Sequence, residues 1–120
     1  MPARTLLDLQ PGTLEFLILR TVAWGPQHGF GIAKWIKTVT DGRLEILDGA
    51  LYPALHRMEH KKWIAAEWGI TESGRRARYY ELTRLGRKAM REQTTAWTDY
   101  AGAVQQIIAA SSRREGTARV

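Results

Sequence analysis

Apolar positions along the chain change their period four times, and each change marks an element. Leu14, Leu17, Ile18 and Val22 recur with helical spacing, with Phe16, Leu19 and Ala23 forming a second stripe. A first helix from about Pro11 or Thr13 to Trp24 is expected, apolar on two sides and therefore central to the core or shared with a partner. Gly25-Pro26 ends it, because glycine accepts a left-handed cap and proline cannot continue a helix. After the turn His28-Gly29-Phe30-Gly31, a second helix near Phe30–Val39 turns Ile32, Trp35, Ile36 and Val39 inward. Thr40-Asp41-Gly42-Arg43 breaks it, and Leu44-Glu45-Ile46-Leu47 has room for a short strand that could become the third member of a small sheet.

A third helix opens at Asp48 and Gly49 and places Leu51, Leu55, Met58 and Lys62 on one stripe, apolar until its last turn. Pro53 must lie in its first turn or just beyond, since an interior proline removes a hydrogen bond and clashes. The period then drops to two. Trp63 to Trp68 and Arg76 to Thr83 alternate as strands, with Ile64, Ala66, Tyr80 and Leu82 on one side. The connection from Gly69 to Arg75 is longer than a tight turn and carries Arg75 and Arg76 near its tip. An exposed tip of this kind is what a DNA-touching wing would look like, with an ordinary solvated hairpin tip as the lesser alternative.

Helical spacing returns after Thr83, a good N-cap, in a last helix expected from Arg84 to about Ala110. At ~1.5 Å per residue it spans on the order of 40 Å, more than so small a body covers. Met90, Trp97 and Val104 recur by sevens, joined by Ala101 and Ile108, which makes a heptad-like seam weakened by Thr94 and Gly102. A seam with no partner in its own chain argues for a homodimer. The small polar tail 111–120 is expected to be frayed.

These elements predict a mainly α chain with a small β-hairpin or sheet (α+β). Its architecture is a winged helix-turn-helix over residues 1–83, a dimerisation helix over 84–110 and a disordered tail over 111–120. A helix slim enough for a major groove, with a cationic hairpin beside it, is the working end of that fold.

Charge sharpens the picture. Between Gly49 and Arg91 ten Lys/Arg oppose four acids, so this window holds the entire net charge of +6. A cationic patch focused in this way favours a polyanion, although a solvated basic surface would look the same. The 120 residues make one modest domain. Without cysteine, disulfides, thiolate chemistry and Cys-ligated zinc are excluded. The longest apolar runs, such as Phe16 to Leu19, are far below the roughly 20 residues that span a bilayer. Met1 to Leu9 lacks the apolar core of a signal peptide, so a cytoplasmic protein with no membrane partner is expected.

The chain resembles the PadR family of bacterial transcriptional regulators, in its short form with one C-terminal helix. The resemblance rests on Pro11-Gly12-Thr13-Leu14, His28-Gly29-Phe30-Gly31-Ile32, Leu51-Tyr52-Pro53-Ala54-Leu55-His56-Arg57, Ala66-Glu67-Trp68, Arg75-Arg76-Ala77-Arg78-Tyr79-Tyr80 and Leu82-Thr83-x-x-Gly86. It implies a homodimer, each winged domain offering one recognition helix to double-stranded DNA. A dimer of this kind is expected to bind a two-fold symmetric operator, and a repressor that occupies a promoter is the expected role. The resemblance makes Tyr52, His56 and Arg57 candidates for groove and phosphate contacts, and Arg75 and Arg76 for the wing; Lys61, in the same basic window, is a further candidate DNA contact. Three positions depart from the family pattern. Ala50 stands where Ser or Thr usually caps, leaving Asp48 or Gly49 to cap instead; Lys62 replaces a usual glycine; Phe30 replaces a frequent tyrosine.

Other readings compete at particular residues. Tyr52 is either a core residue or a DNA contact. Trp97 either packs across the dimer or, as the resemblance implies, offers a platform for a flat aromatic effector. His56-Arg57-Met58-Glu59-His60 spells the H-x-x-E-H of some zinc peptidases. It lacks a third ligand and is flanked by Arg57, Lys61 and Lys62, so no metal, cofactor or enzyme activity is expected. The remaining alternative is a basic winged-helix module that meets an acidic protein.

Overall fold

A computed structural model describes residues 6–9 and 12–118, with side chains placed as far as Arg114. In chain order the elements are α1 (Leu14–Val22), β1 (Gln27–His28), α2 (Gly29–Val39), α3 (Asp48–His60), β2 (Ile64–Ile70), β3 (Arg76–Leu82) and α4 (Arg84–Ala118). The architecture is the expected α+β winged helix with a long last helix. The chain divides into two compact units, residues 1–90 and 91–120.

The first unit is built on a continuous apolar core. Ile18, Leu19 and Val22 of α1, Ile32 and Ile36 of α2, and Leu51, Ala54, Leu55 and Met58 of α3 are buried together with Ile64, Tyr80 and Leu82 of the sheet. α2 and α3 thus give one stripe each, and α1 uses both of its apolar sides, because Leu19 and Ala23 of the second stripe join Ile18 and Val22 of the first in this core. On α2 only Ile32 and Ile36 follow the expected inward pattern. Trp35 and Val39, a quarter-turn away, stay exposed.

β2 and β3 pair antiparallel from Ile64↔Leu82 to Ile70↔Arg76, and β3 is the central strand. The third strand is a correction to the expectation. Leu44 to Leu47 forms no strand; Ile46 enters the core from an irregular loop, which the Thr40 hydroxyl holds by accepting from the Leu44 N–H at 3.1 Å. The third strand is Gln27–His28, paired with Tyr80 and Tyr79. His28 is also the N-cap of α2, with an extended backbone as caps have, and that conformation lets it join the sheet edge. Two residues are too few for any alternation to be read.

α3 begins at Asp48 with Leu47 as its N-cap residue, so neither Asp48 nor Gly49 caps it and no side chain does. Its far end is closed by a Schellman motif. The Trp63 N–H donates to the Met58 carbonyl at 3.0 Å and the Lys62 N–H to the Glu59 carbonyl at 2.9 Å. Lys62 occupies the left-handed position of that motif, with φ of 63°. The helix therefore stops as a glycine-terminated one would, with lysine carrying the strained conformation.

The Thr83 hydroxyl then accepts from the Gly86 N–H at 3.0 Å, the N-cap bond of α4. Gly86 is required there because a Cβ would lie 1.9 Å from the Trp63 carbonyl oxygen. α4 continues to Ala118, beyond the expected end near Ala110; the last residues of the expected tail, Arg119 and Val120, lie outside the described residues, as does the expected helix start at Pro11.

Candidate nucleic-acid interface

The exposed stripe of α3, the outer face of α2 and the β2–β3 hairpin enclose an open groove of about 1340 Å³. Tyr52, His56 and Glu59 follow one another at helical spacing and line one wall. Phe30, Lys34, Trp35 and Thr38 of α2 extend that wall. Trp68, Arg75, Arg76 and Arg78 form the other, and Tyr80 lies between the two.

The two walls are fixed to one another by short-range packing. His28 caps α2 through Nδ1, which accepts from the Gly31 N–H at 3.0 Å, and its ring meets the Tyr79 ring edge-on at 5.3 Å. Tyr52 sits against the start of α2 so closely that a Cβ on Gly29 would come within 2.9 Å of its hydroxyl oxygen. Tyr52 is therefore half exposed, neither a core residue nor a free one. The motif His28-Gly29-Phe30-Gly31 has a physical reading in these contacts: one cap, and two glycines approached by Tyr52 and by Gln27.

Across the groove, the Arg78 guanidinium donates to the Glu59 carboxylate at 2.9 Å, joining the wing to α3. Burial pushes the Tyr80 hydroxyl to a pKa above its ordinary value, against a smaller opposing effect of Arg78. Tyr80 thus stays a neutral floor for the groove through the physiological range.

The candidate contacts separate into two groups. Tyr52, His56, Arg75 and Arg76 come together on the groove. Arg57 and Lys61 do not. They leave α3 on its other side, where Glu15 of α1 accepts from Arg57 Nε at 3.4 Å and from Lys61 Nζ at 2.8 Å. Lys61 also lies 4.4 Å above the Trp63 ring. Lys34, Trp35, Thr38, Trp68 and Arg78 also line the groove, none of them expected there from the sequence. Phe30, Lys34 and Thr38 repeat by four along α2, and that polar-aromatic stripe was the signal available.

His56, Glu59 and His60 do not assemble a metal site. Glu59 is engaged by Arg78, and no group of three or more His, Cys, Asp or Glu that would hold a metal occurs among the described residues. Nor, among them, is any helix long and apolar enough to cross a membrane.

In the second unit, α4 leaves Trp97, Val104 and Ile108 exposed, and Ala101 lies on the same stripe. Tyr100 and Ile107, also exposed and seven apart, flank that stripe and were not anticipated. Met90 belongs to the first unit and packs against its core.

A slim helix whose exposed stripe shares a groove with an arginine-bearing antiparallel hairpin defines a DNA-binding winged-helix protein. The comparisons with known proteins specify the family. The model of the PadR-like family of transcriptional regulators matches residues 18–92, and the chain belongs to that family. An uncharacterized protein of Lysinibacillus sphaericus is 30% identical over 101 residues, which cover 84% of this chain and 89% of that one. A transcriptional regulator from Clostridium thermocellum superposes with a TM-score of 0.71 at 27% identity, covering 79% of this chain and 92% of its own. A PadR family transcription regulator from Clostridium difficile superposes with a TM-score of 0.70 at 28% identity, covering 81% and 99%.

Proposed function

We propose that this PadR-family regulator is a homodimeric repressor that occupies a two-fold symmetric operator. The groove is the observation that supports it: Tyr52 and His56 on the helix wall and Arg75 and Arg76 on the hairpin wall form one cationic, aromatic surface. α3 enters the major groove, where base edges carry a distinct donor and acceptor pattern, and the hairpin reaches the neighbouring backbone. Tyr52 and His56 read bases; Arg75 at the tip meets phosphate. Arg57 and Lys61 serve first to hold α3 on α1 through Glu15, and they reach phosphate only by leaving it.

The second copy comes from α4. Trp97, Ala101, Val104 and Ile108 of one subunit face their counterparts in the other, and a flat aromatic effector would stack on Trp97 at that seam. Two winged units held this way meet half-sites about one DNA turn apart, or a multiple of it.

The salt dependence of DNA binding tests the reading. Replacing Arg75 and Arg76 with Ala together should weaken binding to all sequences and lower the log–log salt slope by about 0.9 for each phosphate no longer neutralised. An acidic protein partner in place of DNA would leave DNA fragments selected from a random pool bound no better than the unselected pool.

A further inference from the structure

The three arginines of the hairpin are not equivalent. Arg78 is paired with Glu59 at 2.9 Å, so its charge is already partly balanced by an acid of the protein's own. Arg75 lies in the loop 71–75, with its backbone N–H held by the Thr71 hydroxyl and no acid on its side chain among the described residues. Arg76 also has no acid partner among them, yet its guanidinium has a fixed seat, with its central carbon 4.5 Å from the centroid of the Trp68 ring. The register explains the pairing. Trp68 stands opposite Arg78 and Ile70 opposite Arg76, so Trp68 and Arg76 are diagonal neighbours on one face, within reach of long side chains. Both line the groove.

Trp68 is 58% exposed, an unusual place for an indole that neither enters the core nor covers it. What it does provide is a flat, electron-rich surface. A guanidinium lying flat on such a face keeps its in-plane N–H donors free at its edge, directed parallel to the ring. It is also less hydrated and loses less freedom when it binds.

We propose that Trp68 is a positioning residue for DNA reading: it holds the Arg76 guanidinium flat and edge-outward, which makes Arg76 the wing arginine that enters the minor groove and favours A·T over G·C steps there. The proposal rests on the reading of the groove as a DNA interface. A hairpin beside a helix seated in the major groove is placed over the adjacent minor groove, whose narrow A·T-rich form has an enhanced negative potential. Guanine adds an N2 amino donor that opposes an arginine there. Neither Arg78, bound to Glu59, nor Arg75, with no ring beneath it in the hairpin, is prepared for this task.

The test uses the full chain and operator fragments selected from random DNA. The positions under the wing are located by comparing footprints of the parent and of Arg76→Ala. At those positions A·T is replaced by G·C and by inosine·cytosine, a pair that looks like A·T from the minor groove and like G·C from the major groove. The parent should prefer A·T to G·C by about ten-fold, with inosine·cytosine behaving as A·T. Trp68→Ala should lower that preference by about three-fold, Trp68→Phe should restore most of it, and Arg76→Lys should lose it while keeping the charge. Trp68→Ala combined with Arg76→Ala should match Arg76→Ala alone, which a merely structural tryptophan would not produce; thermal unfolding of each variant verifies folding. An unchanged preference in Trp68→Ala, additive effects in the double variant, or inosine·cytosine behaving as G·C would overturn the proposal while leaving the DNA interface standing. If the parent shows no sequence preference over the unselected pool, the DNA reading itself fails.

Discussion

The unit formed by residues 1–90 and the one formed by residues 91–120 treat apolar side chains in opposite ways. In the first, Ile18, Leu19, Ile32, Leu51, Leu55 and Met58 are fully withdrawn from water, and three helices and a sheet share their burial. In the second no described side chain is buried, although Trp97, Tyr100, Val104, Ile107 and Ile108 are as apolar as anything in the core. A helix gains most of its stability from packing an apolar face rather than from its own hydrogen bonds. The winged unit is thus complete in one chain, whereas α4 beyond Met90 carries the pattern of a packed helix without the packing. The dimer proposed above supplies it.

The largest expected effect follows from that contrast. Val104→Glu should place a charge in the proposed seam at a cost of several kcal/mol if it becomes buried and unpaired. Specific operator binding should then fall by orders of magnitude, because one subunit holds half of the phosphate contacts, while weak non-specific binding by the winged unit persists. Sedimentation and operator titration of parent and variant decide it. A parent that sediments as a monomer at micromolar concentration would sink the dimer, and so would a variant that binds the full operator as tightly as the parent.

Glycines sharpen the same comparison at smaller scale. Gly86→Ala puts a Cβ against the Trp63 carbonyl oxygen, 1.9 Å away in the present geometry, so the junction of wing and α4 must shift. A loss of about 3 kcal/mol is expected in urea unfolding. Gly102 in the second unit meets nothing within 4 Å, and Gly102→Ala should instead add about 0.8 kcal/mol of helix propensity. Equal and opposite signs at the two glycines are not required; a Gly86→Ala variant as stable as the parent would mean that the helix start is free to move, contrary to the packing seen.

How far the residues alone disclosed this molecule depended on the length of each signal. Helical stripes such as Leu51, Leu55 and Met58, and the alternation of Ile64, Ala66, Tyr80 and Leu82, were long enough to give the elements and their buried sides. Gln27–His28 was not: a two-residue strand has no period, and the alternating Leu44 to Leu47 drew the third strand to the wrong place. Trp35 and Val39 show another limit, since an apolar residue at the edge of a stripe says nothing about whether a neighbour reaches it. The division of the basic residues lay deeper still. Glu15 stands 42 residues before Arg57 and Glu59 stands 19 before Arg78, and no local pattern shows which cations those acids engage.

The smallest expected effect qualifies the completeness of the winged unit itself. Lys62 closes α3 with φ of 63°, a left-handed conformation that costs a residue with a Cβ about 1–2 kcal/mol relative to the ordinary helical one. Glycine escapes that cost but surrenders more freedom on folding, by roughly 0.5–1 kcal/mol. The difference predicts that Lys62→Gly stabilises the protein by about 0.5–1 kcal/mol in urea unfolding. Lys62→Ala keeps the backbone cost and removes only the charge, so it should not share the gain. The pair also separates the two uses of this position. If Lys62 meets a phosphate, both variants should lower the salt slope of DNA binding by the same amount, whatever they do to stability. Equal stability of the glycine and alanine variants would remove the backbone argument, and with it the idea that the link between recognition helix and wing is held in a strained turn.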